Sequence, residues 1–313
     1  MKKVFILVFL LLTMSATKPQ AQEKITLLLD WFVNPDHAPV LIAQELGYFK
    51  EMGLEVRLIA PTDPNDPPKL IAAGQADIAI SYQPNLYLLV SNGLPIARIG
   101  TLIDTPLNSL IVLADGPIKN LKDLKGKRVG YSVSGFEDIY LGAMLAKHGL
   151  KLTDISLVNV NFSLSTALAT KQVDAVIGAF RNFELNQLAI MGVKARVFYP
   201  ENEGVPLYDE LIFISHQRHI NDPRFIKFLK AIQKSVTFII NNPEESWDIA
   251  RKAFPEMDDE LNQRAWFDTI SRFSHNPIIL DKQRYKEFAE FIQKSIPHLR
   301  LPEMSIYVPK LVE

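Results

Sequence analysis

The sequence predicts an α/β protein of two lobes, with a ligand cleft between them and two chain crossings as the hinge. Three observations point that way. Short apolar runs of strand length alternate with helical patterns from Ile25 to Ser215, as in sheets covered by helices. The chain also echoes itself. Ile71-Ala72-x-x-Gln75-x-Asp77-x-x-Ile80 returns as Leu168-Ala169-x-x-Gln172-x-Asp174-x-x-Ile177 at a constant offset of 97. Each copy reads as a helix end, a tight turn and a strand; the competing reading is chance likeness between two α/β units. Finally, 313 residues that are 48% hydrophobic and 22% charged suffice for one large or two medium globular domains.

The elements follow in order. Residues 1–21 read as a secretion signal: Lys2 and Lys3, then the nine apolar residues Val4 to Leu12, then small residues at Ser15, Ala16 and Ala21. Cleavage is expected between Ala16 and Gln22. A membrane anchor is the other reading, but a spanning helix needs about 20 apolar residues. The first lobe is expected over 22–109 plus 210–313, the second over 110–209.

Ile25 to Leu29 suits a strand buried on both faces. A mostly buried helix is expected from His37 or Ala38 to Met52, stopped by Gly53, and Leu54 to Ile59 alternates as a strand. A loop with four prolines, Pro61 to Pro68, leads to a helix end at Lys69 to Gly74 and a strand at Asp77 to Ser81. Tyr82-Gln83-Pro84-Asn85 leaves that strand as a loop, Leu86 to Val90 is helical, and Ile96 to Ile103 is a strand. Asn108 to Ala114 is a strand that crosses to the second lobe. There, Leu121 to Lys127 feeds the strand Arg128 to Ser132, followed by a polar turn to Gly135 and a helix from Phe136 to His148. Strands at Ile155 to Val160, Asp174 to Ala179 and Ala195 to Tyr199 alternate with helices at Leu164 to Lys171 and Arg181 to Met191. Glu210 to Ser215 returns to the first lobe. Beyond Asn221 the spacing of Phe225, Leu229, Ile232, Val236 and Ile239 is helical, as is that of Tyr285, Phe288, Ile292 and Ile296.

Asp30, Trp31, Phe32, Asn34 and His37 leave the carboxyl end of the first strand, where ligands sit in open α/β sheets. An aromatic, an amide and an imidazole in one loop suit a flat, nitrogen-rich ligand. The pattern Asp30-Trp31-x-x-Asn34-x-x-His37-x-Pro39, followed by LIAQELGYFKEMGLEV, resembles the thiamine-pyrimidine family. That family includes fungal pyrimidine synthases and bacterial periplasmic proteins that bind formylaminopyrimidine for an ABC importer. The likeness runs from about Lys24 to about Phe254 and is most specific in the opening unit. It implies a type II periplasmic binding fold, a heterocyclic ligand, a permease partner in the inner membrane and no cofactor. A monomer in the periplasm is the expectation.

Each candidate residue has a bland reading beside the functional one. Trp31 stacks on the ligand or packs under the helix. Asn34 bonds a ring nitrogen or caps the helix. His37 contacts the ligand or is a polar residue of the first helical turn. Tyr82 is a second clamping aromatic or core, with Gln83 beside it. Ser134, with Ser132 and Gly135, precedes a helix whose free amides attract anions, though one glycine makes a weak signal. Asp209 and Glu210 at the hinge bond a ligand amine or are solvated. The resemblance implies an acid at Glu184 that bonds the aminopyrimidine, a carboxyl being able to accept from an amine and, when protonated, to donate to a ring nitrogen. The alternative is a solvated acid in a first helical turn. Phe180 and Phe183 are placed to close the ring's other face, where binders of the family often carry tyrosine or tryptophan.

Composition excludes other classes. There is no cysteine, hence no disulfide, no thiolate site and no lipid-modified cysteine anchor. No second histidine stands at metal-ligand spacing. Residues 1–21 hold Lys2, Lys3 and Lys18 of the 34 basic residues and none of the 35 acidic ones, so their removal takes the net charge from −1 to about −4. That balance offers no basic patch to nucleic acid. The enzymatic alternative is a pyrimidine synthase, which the resemblance describes as holding pyridoxal phosphate on a lysine and consuming its own histidine. Ser81 and Asn85 stand at those positions, and neither side chain can do that chemistry. The other alternative is a binder of nitrate, sulfonate or taurine, which needs anion donors rather than Trp31, Tyr82 and Glu184.

Overall fold

The computed structural model describes residues 21–135 and 137–311. The expected secretion signal lies outside them, save for Ala21.

Among the described residues, ten strands form two five-stranded sheets. The first sheet holds β1 (Glu23–Leu28), β2 (Leu54–Ile59), β3 (Ile78–Tyr82), β4 (Ile96–Ile103) and β10 (Leu211–His216) in the order β2-β1-β3-β10-β4. The second holds β5 (Asn108–Leu113), β6 (Arg128–Tyr131), β7 (Ser156–Asn159), β8 (Ala175–Phe180) and β9 (Ala195–Phe198) in the order β7-β6-β8-β5-β9. The two share one plan. A central strand pairs in parallel with two neighbours, β1 with β2 and β3, β6 with β7 and β8. Next comes the strand that has just crossed from the other lobe, β10 or β5, antiparallel to both its neighbours. The two-lobed α/β fold read from the sequence is the fold observed. The echoed segments occupy equivalent places, each a helix feeding the third strand of its sheet, β3 or β8. The expected boundary at residue 109 falls inside β5, where Asn108 and Ser109 already pair with Phe180 and Ala179.

Helices cover the sheets. They are α1 (Ala38–Glu45), α2 (Tyr48–Glu51), α3 (Pro67–Ala72), α4 (Gln83–Ser91), α5 (Gly142–Lys147), α6 (Leu164–Ala169), α7 (Glu184–Ile190), α8 (Pro223–Asn241), α9 (Pro243–Ala253), α10 (Glu260–Thr269), α11 (Lys282–Ser295) and α12 (Met304–Tyr307). The single helix expected to run to Met52 is two, because Gly47 adopts φ 72° and turns the chain between them. The loop expected at Tyr82 to Asn85 is absent: Tyr82 ends β3, and Gln83 opens α4 with Pro84 in its first turn. The expected start of the helix after β8 moves from Arg181 to Glu184. The long α8 is capped by the Asp222 side chain and buries Phe225, Phe228, Leu229, Ile232, Val236 and Ile239 against the first lobe. Burial of each such side chain contributes about 1.5–3 kcal/mol relative to exposure.

Candidate ligand site

The carboxyl ends of β1, β3, β6 and β8 deliver residues to one site. After β1 the chain turns through Asp30 and Trp31 into a short helical turn, Pro35–His37, capped by Asn34. The Asn34 Oδ1 accepts from the Asp36 amide at 2.8 Å, and its Nδ2 donates to the Phe32 carbonyl at 2.9 Å. β3 supplies Tyr82, the turn after β6 Ser132 and Val133, β8 Gly178 and Phe180, and the turn into α7 Phe183 and Glu184. With Leu164, these residues line a cavity with about 430 Å³ of empty space, open solvent included.

The cavity is aromatic and acidic. Trp31 stands half-buried with its ring edge against Phe162 of the second lobe, centroids 4.4 Å apart, while Phe32 meets Phe183 at 5.9 Å. Tyr82 lies edge-on to Phe180 at 6.4 Å. Three carboxyls, Asp30, Asp36 and Glu184, line the same wall space, and no lysine or arginine is among the lining residues. Glu184 is 7% exposed, and its Oε2 accepts from the Phe180 amide at 2.6 Å. Burial pushes its carboxyl up to about 8, against the pull of that amide, and the negative charge of Asp36 adds to the rise. Burial likewise raises Asp36 to about 6, partly offset by His37 and by the hydrogen bond from Asn182.

Asp30 is anchored on both sides. Tyr82 Oη donates to its Oδ2 at 2.7 Å, and His37 Nε2 meets its Oδ1 at 2.9 Å. Because the Asn34 amide points at His37 Nδ1, the proton sits on Nε2 and is donated to Asp30.

Seven residues named from the sequence, Trp31, Asn34, Tyr82, Ser132, Phe180, Phe183 and Glu184, therefore line one cavity. His37, Gln83, Asp209 and Ser134 do not. His37 is fully buried behind Asp30, so its ring positions the carboxylate instead of touching a ligand. Gln83 is also fully buried; it accepts from the Asp209 amide at 2.6 Å and donates to Tyr87 at 3.0 Å. Asp209 is held by Thr101 at 2.8 Å, Arg284 at 2.5 Å and Tyr285 at 3.0 Å, an interior cluster of the first lobe. Ser134 lies in a neighbouring compartment of about 520 Å³, also lined by Asn65, Lys69, Ser81 and Asn85, which meets the first cavity at Asp30, Tyr82 and Val133. Asn34, though on the wall, has spent both ends of its amide on the turn. Sequence reasoning missed Asp36 and did not single out Asp30. The signal for Asp30 was its place one residue before Trp31 at the same strand end; Asp36 had none, since acids in a first helical turn are ordinary.

The lobes are tied across the cleft. Asn182 Nδ2 donates to Asp36 Oδ1 and Thr269 Oγ1, both at 2.6 Å, and Asn186 Nδ2 donates to Asp268 at 2.7 Å. Asn65 Nδ2 donates to the Ser132 carbonyl, and Asn65 Oδ1 accepts from the Ser134 amide.

Residues 34–246 match the family described as NMT1/THI5 like. A protein of Haemophilus influenzae named for thiamine biosynthesis is 50% identical over 88% of both chains. The chain belongs to the NMT1/THI5-like family. Within it, the formylaminopyrimidine-binding protein of Halalkalibacterium halodurans is 33% identical over 76% of this chain and 72% of its own. The 4-amino-5-hydroxymethyl-2-methylpyrimidine phosphate synthase of Legionella pneumophila is 28% identical over 83% of each. Among solved structures, the alkanesulfonate-binding protein SsuA of Xanthomonas axonopodis pv. citri, bound to MOPS, superposes with TM-score 0.70 at 16% identity over 93% of this chain and 98% of its own. A Candida albicans protein described as having the generic periplasmic binding protein fold gives 0.72 at 14% identity, with the same coverage. At that identity the superpositions speak for the fold alone. NMT1/THI5-like relatives thus include both a binder and synthases.

Proposed function

We propose that this chain is a periplasmic solute-binding protein that captures a 4-aminopyrimidine precursor of thiamine and delivers it to an ABC permease. One observation carries the reading: the aromatic cavity presents ring faces and the carboxyls of Asp30, Asp36 and Glu184, with no lysine or arginine among its lining residues; Lys69 lines only the adjoining compartment. A sulfonate or nitrate placed there would face the Asp36 carboxyl, which burial raises only to about 6, and would find no arginine or lysine among the lining residues to offset its charge. A neutral aminopyrimidine finds ring faces on Trp31, Phe180 and Phe183. It also finds a Glu184 carboxyl that is protonated near neutral pH, able to donate to a ring nitrogen and accept from the exocyclic amine.

The synthase reading asks for a lysine and a histidine in the β3–α4 segment. Ser81 and Asn85 stand there, so that segment does not fit pyridoxal phosphate as a covalent partner. Incubation with pyridoxal phosphate is expected to give no absorbing internal aldimine and no pyrimidine product; such an aldimine would overturn the reading. The secretion signal expected at residues 1–21 agrees with a place in the periplasm.

Calorimetry on the mature protein tests the proposal. Binding of 4-amino-5-hydroxymethyl-2-methylpyrimidine or its formylamino counterpart, with no heat from MOPS or taurine, is the expected result. Tight binding of a sulfonate with none of either pyrimidine overturns it.

A further inference from the structure

A second hollow lies outside the ligand site. It is a groove with about 2200 Å³ of empty space, open solvent included, against about 430 Å³ for the aromatic cavity. One wall belongs to the first lobe: the C-terminal half of α4, the end of α11 and residues 295–300. The other belongs to the second lobe: α5, residues 150–153 and the turn at Glu203 and Gly204. The lobes abut at Leu88, whose Cδ1 lies 2.7 Å from where a Cβ on Gly135 would sit.

The groove has an apolar lining and a cationic rim. Leu88, Leu150, Phe291 and Ile296 are half-buried along it, while Lys147, Lys151, Lys294 and Arg300 stand exposed. Glu203 is the one acid among the lining residues, and Lys147 at 3.1 Å and His148 at 2.9 Å already engage it. Lys151, Lys294 and Arg300 have no carboxylate partner among the described residues. This excess of cations stands on a chain whose net charge is −1. Charge and shape together name the occupant. A small anion would satisfy the rim and leave the apolar lining wet. A flat anionic lipid surface would reach the rim and not the floor. Residues 1–20 carry Lys2, Lys3 and Lys18 and no acid, so they have the same sign as the rim. An acidic amphipathic segment of a partner protein fits both features, with carboxylates on the cations and apolar side chains against the lining.

We propose that this groove docks an acidic, amphipathic segment of the ABC permease that bridges the two lobes. The inference rests on the import reading and adds to it the surface by which the importer holds the protein. Because each lobe supplies one wall, the width of the groove follows the angle between the lobes. A segment seated on both walls therefore binds one lobe arrangement better than another, and so favours it.

The test measures binding of the mature protein to its cognate importer, permease and ATPase together in lipid nanodiscs. The groove variant, Lys151→Glu with Lys294→Glu and Arg300→Glu, is expected to bind the importer about tenfold more weakly than the wild type. Its pyrimidine affinity in calorimetry is expected to be unchanged, which also certifies its fold. A control variant, Lys50→Glu with Lys194→Glu and Lys252→Glu, makes the same change of net charge on exposed lysines outside the groove. It is expected to bind the importer as the wild type does. Equal importer binding by the groove variant and the wild type overturns the proposal. So does equal weakening by both variants, the mark of a general field. Wild-type binding to protein-free nanodiscs of anionic lipid, lost in the groove variant, overturns it in favour of a membrane surface. Should the groove variant not fold, the same three positions changed to glutamine take its place, with a smaller loss of importer binding expected. If the wild type binds a pyrimidine but not the importer, the groove falls alone. If it docks through the groove but binds no pyrimidine, the cargo reading falls and the groove stands.

Discussion

At the residue scale, Glu184 is the side chain on which pyrimidine recognition turns. Its carboxyl is raised to about 8 by burial, so near pH 7 it carries the proton that a ring nitrogen can accept. Leaving the ligand's buried polar groups without this partner costs about 1–3 kcal/mol. Glu184→Ala is therefore expected to weaken pyrimidine binding roughly 5- to 150-fold in calorimetry, with the fold intact by circular dichroism. Glu184→Gln keeps a donor and an acceptor and is expected to lose less. The two also differ with pH. Wild-type affinity should fall as pH rises through about 8, where the donor proton is lost, and the glutamine variant should show no such fall. An affinity independent of pH from 7 to 9 in the wild type would remove the protonated carboxyl from the argument. Glu184 was legible in the sequence because it follows a strand end, but its burial was not. The same limit explains His37 and Asp209. Loop position placed them near the cleft, yet which way a side chain turns depends on partners 7 residues away for His37 and 76 residues away for Asp209, bonded to Tyr285.

At the scale of elements, the break between α1 and α2 and the tie between α7 and α10 decide how the cleft is framed. Gly47 sits at φ 72° with open space where a side chain would go, so only backbone strain opposes substitution. Gly47→Ala is expected to cost about 1–2 kcal/mol in urea unfolding while leaving ligand affinity alone. A loss of binding without a loss of stability would contradict that. The sequence suggested one continuous helix because apolar residues keep helical spacing through Gly47; spacing does not reveal φ. The α7–α10 tie is different in kind. Asn182 is 2% exposed and supplies a donor to the buried Asp36, so Asn182→Ala strips that carboxyl of a partner across the cleft. The closed form should lose stability relative to the open one. Ligand dissociation is expected to speed up by about tenfold in stopped-flow measurements, as for a loss of roughly 1.4 kcal/mol, with the order of preference among pyrimidines unchanged. A changed order of preference would instead place Asn182 in direct contact with the ring. Neither asparagine nor threonine at these positions stands out in the sequence, since the bonds join residues 146 and 87 apart.

At the scale of the whole molecule, the two lobes are joined where the chain crosses, and one buried acid clamps both crossings. Glu210 Oε2 accepts from the amides of Leu107 at 2.6 Å and Asn108 at 2.8 Å on the outward crossing. It also takes the Tyr208 hydroxyl at 3.1 Å on the return. The hinge was legible as two strands that change sheets; the carboxyl that fastens them was not, because an acid at a presumed loop reads as solvated. Burial raises Glu210 to about 7, just as it raises Asp36 to about 6 and Glu184 to about 8. All three shifts have the same sign. Each group holds its proton more tightly folded than unfolded, where the ordinary values are 3.8 for Asp and 4.5 for Glu. Between those values and the raised ones, unfolding releases protons. The stability contributed by protonation is fully present below the unfolded values and is lost as pH rises through the folded ones. Ligand-free protein is therefore expected to melt at a lower temperature at pH 8.5 than at pH 5.5, within the window bounded by those values. Glu210→Gln mimics the protonated acid and keeps an oxygen for the Leu107 and Asn108 amides. It should flatten the decline around pH 7, whereas Glu184→Gln should flatten its upper end. A melting temperature that rises from pH 5.5 to 8.5 would mean that these acids are ionised and paired in the folded protein, and the hinge would then have to be held by charge instead of by a buried neutral carboxyl.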